Sequence, residues 1–278
     1  MSLSQYAYPE VLVDTQWVVD HLNDPNVRLV EVDMTPQAYN AGHIPGAVFW
    51  GGPDLLLPNQ RINFDPTALE KLLARSGIAN DTTVIAYSSY PAAGGLLFWF
   101  LKVFGHHDVR ILNGSRQKWM AEGRPLTTEP TLVTPTHYHT KAPNLSLRAL
   151  REYVQESIGR LDRVLVDVRT PQEYSGEWFM MQPPEGTERT GHIPGAVHMG
   201  YELAHNDDGT FKSVDALQSL YGGKGITPDK EVMTYCAVGA RSGHIWFVLK
   251  YLLGYPNVRN YDGSWNEWSQ LPDIAIEK

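Results

Sequence analysis

The sequence predicts an α/β protein made of two tandem domains, each a mostly parallel sheet with helices on both faces. Three observations point there: a set of motifs repeated at one offset, β-branched runs alternating with helical stretches, and an aperiodic proline-rich segment between the halves. GHIPGAV occurs at Gly42–Val48 and again, unchanged, at Gly191–Val197. The lead LVEVDMTPQAY, ending at Tyr39, matches VLVDVRTPQEY, ending at Tyr174. VRILNGSRQKW, ending at Trp119, matches VRNYDGSWNEW, ending at Trp268. The offset is 149 for His43/His192, 148 for Tyr87/Tyr235 and 149 for Trp119/Trp268. Chance similarity would not hold one offset across three motifs, and two copies are too few for a solenoid.

In chain order, VRLVEVD and TTVIAY in the first half, and RVLVDV and KEVMTY in the second, have the short β-branched character of buried parallel strands. Helices are expected over Pro66–Ser76, Leu96–Phe104, Ser146–Ile158 and His244–Leu253, with Ser146 as the N-cap of its helix. Pro125–Asn144 holds four prolines and no period, so the expected organisation is domain 1–124, linker 125–144 and domain 145–278.

An apolar fraction of 42% and eight tryptophans are enough for buried cores. The formal charge of −8 argues against nucleic acid or an anionic membrane surface as partner. No apolar run approaches the ~18 residues of a membrane span. MSLSQYAYPEVLVD lacks the basic start and apolar core of a signal peptide, and a lone cysteine suits a reducing compartment, so a cytoplasmic location is expected.

That cysteine is the candidate nucleophile. Ligands of parallel α/β sheets gather at the carboxyl ends of strands, and Cys236 stands there, between VMTY and the helix expected after Gly243. The loop Cys236-Ala237-Val238-Gly239-Ala240-Arg241-Ser242 should turn backbone N–H groups inward, and the following helix adds the positive end of its dipole. Both favour an anionic sulfur, Gly239 allows the tight curl, and Arg241 adds a fixed charge with a planar fork of donors. The corresponding loop of the first half, Ser88 to Gly94, has Ser88 for the thiol and Ala93 for the arginine, so that half is expected to shape the site without catalysing.

The GHIPGA motif, the strand–Cys–x–x–Gly–x–Arg loop and the DGSWNEW ending resemble the tandem-domain rhodaneses, in both halves and over nearly the whole chain. The resemblance implies that Cys236 takes the outer sulfur of thiosulfate as a persulfide, releases sulfite, and passes the sulfur to cyanide or another thiophilic acceptor, a thiol or a carrier protein. It also makes Arg189, two residues before Gly191, a donor-binding candidate beside Arg241, with the loop residues Ala237, Val238, Gly239, Ala240 and Ser242 around the donor. Mercaptopyruvate is the alternative donor. Relatives that use it carry an arginine at the position where this chain has Glu173. A cysteine phosphatase or arsenate reductase of the same fold is a further alternative, but its loop is one residue longer than the spacing from Cys236 to Arg241. A relay module that hands sulfur to a partner protein is another.

Trp50 is a candidate aromatic wall facing Cys236. His43 and His192 occur equally in the half without a thiol and are read as turn-holding. Glu31 and Asp167, which end core strands, are expected to anchor an active-site arginine or a loop amide. Asp262 and Asn113 are read as turn formers, and no metal or cofactor is expected.

Overall fold

The computed structural model describes residues 3–90 and 92–278; Pro91, in the loop after Ser88, lies outside the described residues. In the first half, strands β1 (Leu12–Val13), β2 (Val27–Val32), β3 (Val48–Trp50), β4 (Thr83–Tyr87) and β5 (Val109–Leu112) form a sheet of order β1-β5-β4-β2-β3. In the second, β6 (Arg163–Asp167), β7 (Val197–His198), β8 (Glu231–Tyr235) and β9 (Val258–Asn260) form a sheet of order β7-β6-β8-β9. Every ladder in both is parallel. The registers repeat as well: Glu31 sits opposite Tyr87, and Asp167 opposite Tyr235.

The helices of the first half are α1 (Thr15–His21), α2 (Gln37–Ala41), α3 (Gly52–Leu55), α4 (Pro66–Arg75), α5 (Ala92–Val103) and α6 (Ser115–Ala121). Those of the second are α7 (Arg151–Ser157), α8 (Pro171–Ser175), α9 (Val214–Gly222), α10 (Ala240–Phe247) and α11 (Ser264–Trp268). Ser146 does not cap α7. Its N–H is taken by the Asn144 side chain at 3.1 Å in a short 3-10 turn, and α7 starts five residues later, after an uncapped Leu150. The helices expected from Leu96 and His244 begin earlier, at Ala92 and Ala240, directly after the loops that end β4 and β8. Past Phe247 the second of them widens into a π-turn over Val248–Leu252.

The GHIPGA turns are held alike in the two halves. Tyr87 Oη accepts the Ile44 N–H and Tyr235 Oη the Ile193 N–H, each at 3.1 Å. His43 and His192 stack on Tyr39 and Tyr174 at 3.8 Å and bond the carbonyls of the same tyrosines. A returning segment closes each turn through an isolated antiparallel bridge: Thr127, at the start of the 125–144 segment, bridges His43, and Glu277 bridges His192.

The halves share one hydrophobic core. Apart from Lys102 near its end, α5 is apolar on every side, as a helix buried nearly all round must be, and it packs on α10. Phe98 meets Phe247 edge-on at 4.7 Å and Tyr251 at 4.9 Å. The two backbones approach closely at Gly95, where a Cβ would stand inside the van der Waals radius of the His244 backbone. The N-terminal segment also crosses over, with the Ala7 N–H on the Leu252 carbonyl (3.0 Å) and the Tyr8 N–H on the Tyr251 carbonyl (3.1 Å). Among the described residues no helix is long and apolar enough to cross a membrane.

Candidate functional site

Cys236 follows the last residue of β8, and its loop ends at Gly239 on the N-cap of α10. What surrounds the sulfur follows from how the loop carbonyls are tied. The Cys236 and Ala237 carbonyls accept the Trp265 and Asn266 N–H groups of α11, each at 2.9 Å. The Gly239 carbonyl takes the Gly243 N–H at 3.0 Å and the Asn260 side chain at 3.2 Å. With its carbonyls pinned to α11, β9 and α10, the loop donates the Gly239 N–H to Cys236 Sγ at 3.2 Å, and the Ser242 hydroxyl stands at 3.6 Å from the same sulfur. Gly239 is obligatory: its φ is +93°, and a Cβ there would lie 2.9 Å from the Asp262 carbonyl oxygen.

Ser264 holds the thiol's own backbone, accepting the Cys236 N–H at 3.0 Å while donating to the Tyr261 carbonyl at 2.8 Å. It is left-handed, with φ +52°, an uncommon state for a residue with a side chain. Its counterpart Ser115, at φ +51°, does the same for Ser88 at 2.8 Å. Sequence reasoning missed these serines. The signal was present in the DGS and NGS motifs, where it read the Asx residue and not the serine after the glycine. Asp262 is more than a turn former, since it pairs with Arg148 through two 2.9 Å bonds.

Arg241 comes to the cavity but not as a bare cation. Glu173 of α8 grips it through two bonds of 2.6 and 2.9 Å, and both are buried. Burial pushes the Glu173 carboxyl up, yet the bonds and charge of Arg241 outweigh this and leave it below its ordinary value. The capping box with Thr170 fixes Glu173 in place. Bidentate pairing uses two of the five guanidinium N–H donors, so three stay available. Asp167 accepts a loop amide, the Arg169 N–H at 3.0 Å, and pairs with the guanidinium of the same residue, which lies 4.5 Å over Trp265 and is not on the cavity wall. In the first half Arg116, at the position of Trp265, pairs with Glu31 instead.

The first half also shows what its own loop does. The Ser89 and Tyr90 N–H groups bond the Asp33 carboxylate at 3.0 and 3.3 Å. That loop is closed by a carboxylate of its own chain, while the loop after β8 offers an amide to a thiol sulfur.

Cys236 is only 1% exposed, but it is not sealed in apolar packing, because it lines a cavity of about 680 Å³ between the halves. Ala237, Val238, Ala240 and Arg241 line the same cavity, facing mostly apolar side chains of the first half such as Val32, Leu55, Leu56 and Leu96. Gly239 and Ser242 reach the sulfur directly. Two sequence candidates are placed elsewhere. Trp50 is fully buried, its indole N–H on Ser76 Oγ at 2.8 Å, and does not line the cavity. Arg189 is spent on the C-terminal segment, donating to the Leu271 and Ile274 carbonyls, and is likewise absent from the cavity wall. A more polar cleft of about 780 Å³ lies across the domain boundary between Lys118 and Asp208, without a nucleophile. Among the described residues no cluster of three or more His, Cys, Asp or Glu side chains could hold a metal ion.

A family model described as "Rhodanese-like domain" matches residues 14–122 and, a second time, 150–271. The chain belongs to the rhodanese family. It is 50% identical, over 98% of both chains, to the sulfur carrier protein TtuD of Thermus thermophilus. It is 43% identical, over 96% of both chains, to a Saccharopolyspora erythraea protein named "Putative thiosulfate sulfurtransferase". Among solved structures it is similar to the anaerobic ergothioneine biosynthesis enzyme of Chlorobium limicola (26% identity, TM-score 0.86, 98% of this chain and 71% of that one). A complex of EanB with ergothioneine covalently linked with a cysteine persulfide is similar too (28% identity, TM-score 0.86, 98% and 70% covered). This rhodanese is thus a tandem-domain sulfurtransferase, with two parallel-sheet domains and one thiol.

Proposed function

We propose that this rhodanese takes sulfane sulfur from thiosulfate onto Cys236 and delivers it from the persulfide to a thiophilic acceptor, whether cyanide, a thiol or a carrier protein. The observation that carries this is the sulfur's setting: an N–H donor at 3.2 Å, a hydroxyl at 3.6 Å, a helix N-terminus and an open cavity. The Cys236 thiolate attacks the outer sulfur of thiosulfate. The sulfur–sulfur bond of the donor breaks with its electron pair leaving on sulfite, and Cys236–S–S⁻ remains. Charge balances without a proton, so no general base is required. The same donors that hold the thiolate then hold the persulfide anion.

Charge placement supports thiosulfate over mercaptopyruvate. The sulfonate group of thiosulfate is bonded directly to the transferred sulfur, and the donors that can meet it are equally local: the loop amides, the start of α10 and the guanidinium N–H groups that Arg241 does not spend on Glu173. The carboxylate of mercaptopyruvate lies two carbons further out, and among the described lining residues, which include Asp33, Thr35, Gln37 and Gln60, there is no second Lys or Arg to meet it. Arg189 and Trp50 drop out of the donor-binding set proposed here. The relay reading, with a protein as acceptor, draws its support from the sulfur carrier named among the relatives. Steady-state kinetics with each donor at fixed cyanide tests the assignment. We expect kcat/KM for thiosulfate to exceed that for mercaptopyruvate by about tenfold or more, a difference of ~1.4 kcal/mol; the reverse order would overturn the donor.

A further inference from the structure

Between the tyrosine of the lead motif and the glycine of GHIPGAV, the first half has two residues, Asn40 and Ala41. The second half has sixteen there, from Ser175 to Thr190. The fold did not need this insertion, since the first half builds the same turn without it. The insertion reaches the cavity through one tight turn. Phe179 and Gln182 exchange backbone hydrogen bonds of 2.7 and 3.2 Å, leaving Met180 and Met181 as its central pair. Both are left-handed, with φ of +48° and +75°. Two-residue turns of this kind are filled by Asn and Gly because a β-carbon is strained there, and two methionines are costly choices. Both side chains line the cavity that holds Cys236, and Met34 lines it from the first half.

Neither donor nor cyanide needs such a wall. A cavity of about 680 Å³ lies in the range that accepts organic molecules many atoms larger than thiosulfate. Thioethers are adaptable apolar surfaces that mould to such bodies. We propose that the Met180–Met181 turn is the acceptor-selecting element of the site, favouring a sulfur acceptor that is an organic thiol with an apolar body. This rests on the persulfide reading above. The acceptor thiol gives its proton to Cys236–S–S⁻ and, as the thiolate, attacks the outer sulfur; the sulfur–sulfur bond breaks with its pair returning to Cys236 Sγ, and the proton stays on the product, the organic persulfide. No oxidant or reductant is consumed.

The test uses Met180→Asn together with Met181→Gly, which keeps the left-handed turn and removes both apolar side chains. Persulfide is loaded from thiosulfate, then discharged to thiophenol or to cyanide, and the ratio of the two kcat/KM values is read. The ratio is expected to fall about tenfold in the double variant, the effect of withdrawing a methionine-sized apolar contact. Met120→Ala, an exposed methionine on α6 away from the cavity, should leave it at the wild-type value. The melting temperature of the double variant should hold or rise, which separates lost selectivity from lost folding. An unchanged ratio, or the same fall in Met120→Ala, overturns the proposal. If wild type takes up no sulfur on Cys236, the persulfide reading fails, and the acceptor inference with it.

Discussion

At the scale of single residues, the site is a set of buried charges arranged so that each has a partner. Arg241 stands beside the thiol with Glu173 across it, both shielded from water. The pair therefore brings donors to the cavity with little net charge. Glu173→Gln keeps the shape and one acceptor but leaves the guanidinium uncompensated. Removing one member of a buried pair costs about 3 kcal/mol. Denaturant melts of this variant should show a loss of that order, together with a lower KM for the anionic donor. An unchanged midpoint would show that the pair is not the buried interaction described. These partners were hard to read in advance. Cys236, Gly239 and Arg241 lie within six consecutive residues, but Glu173 lies 68 residues from Arg241. Seen as a sequence position, Glu173 marked only a missing arginine.

At the scale of elements, the strands and the placement of Cys236 at a strand's carboxyl end were legible, because β-branched runs and the duplicated motifs mark them directly. The start of α4 at Pro66 was legible too, but those of α5, α7 and α10 were not. α5 opens with Ala-Ala-Gly-Gly and α10 with Ala-Arg-Ser-Gly, which carry no apolar period, so their first turns were taken for loop. Trp50 and Arg189 were misplaced for a related reason. Position near a motif does not say which way a side chain faces, and these face Ser76 and the C-terminal segment. The Ala-Gly-Gly start of α5 has a packing reason, since only glycine at position 95 lets α5 cross α10 so closely. Gly95→Ala should therefore cost about 3 kcal/mol, at the upper end of overpacking effects. Gly243→Ala, whose added Cβ would sit at 3.4 Å from its neighbours, should cost much less. Equal midpoints for the two variants would refute the close crossing.

At the scale of the whole molecule, duplication separated two tasks. The first half retains the strand–loop–helix frame, but Ser88 replaces the thiol and Asp33 fills the loop amides. It supplies the far wall of the cavity, Val32, Leu55, Leu56 and Leu96, and a helix that shares the core of its partner. The second half supplies the sulfur, the ion pair and the inserted methionine turn. The central claim is that Cys236 is the atom-by-atom carrier, and intact-protein mass after incubation with thiosulfate tests it most directly. Wild type should gain one sulfur atom and lose it on adding cyanide. Cys236→Ser should stay folded, as Ser88 does in the same frame, and gain nothing. Sulfur uptake by that variant, or thiosulfate turnover by wild type without any sulfur-loaded species, would contradict the account.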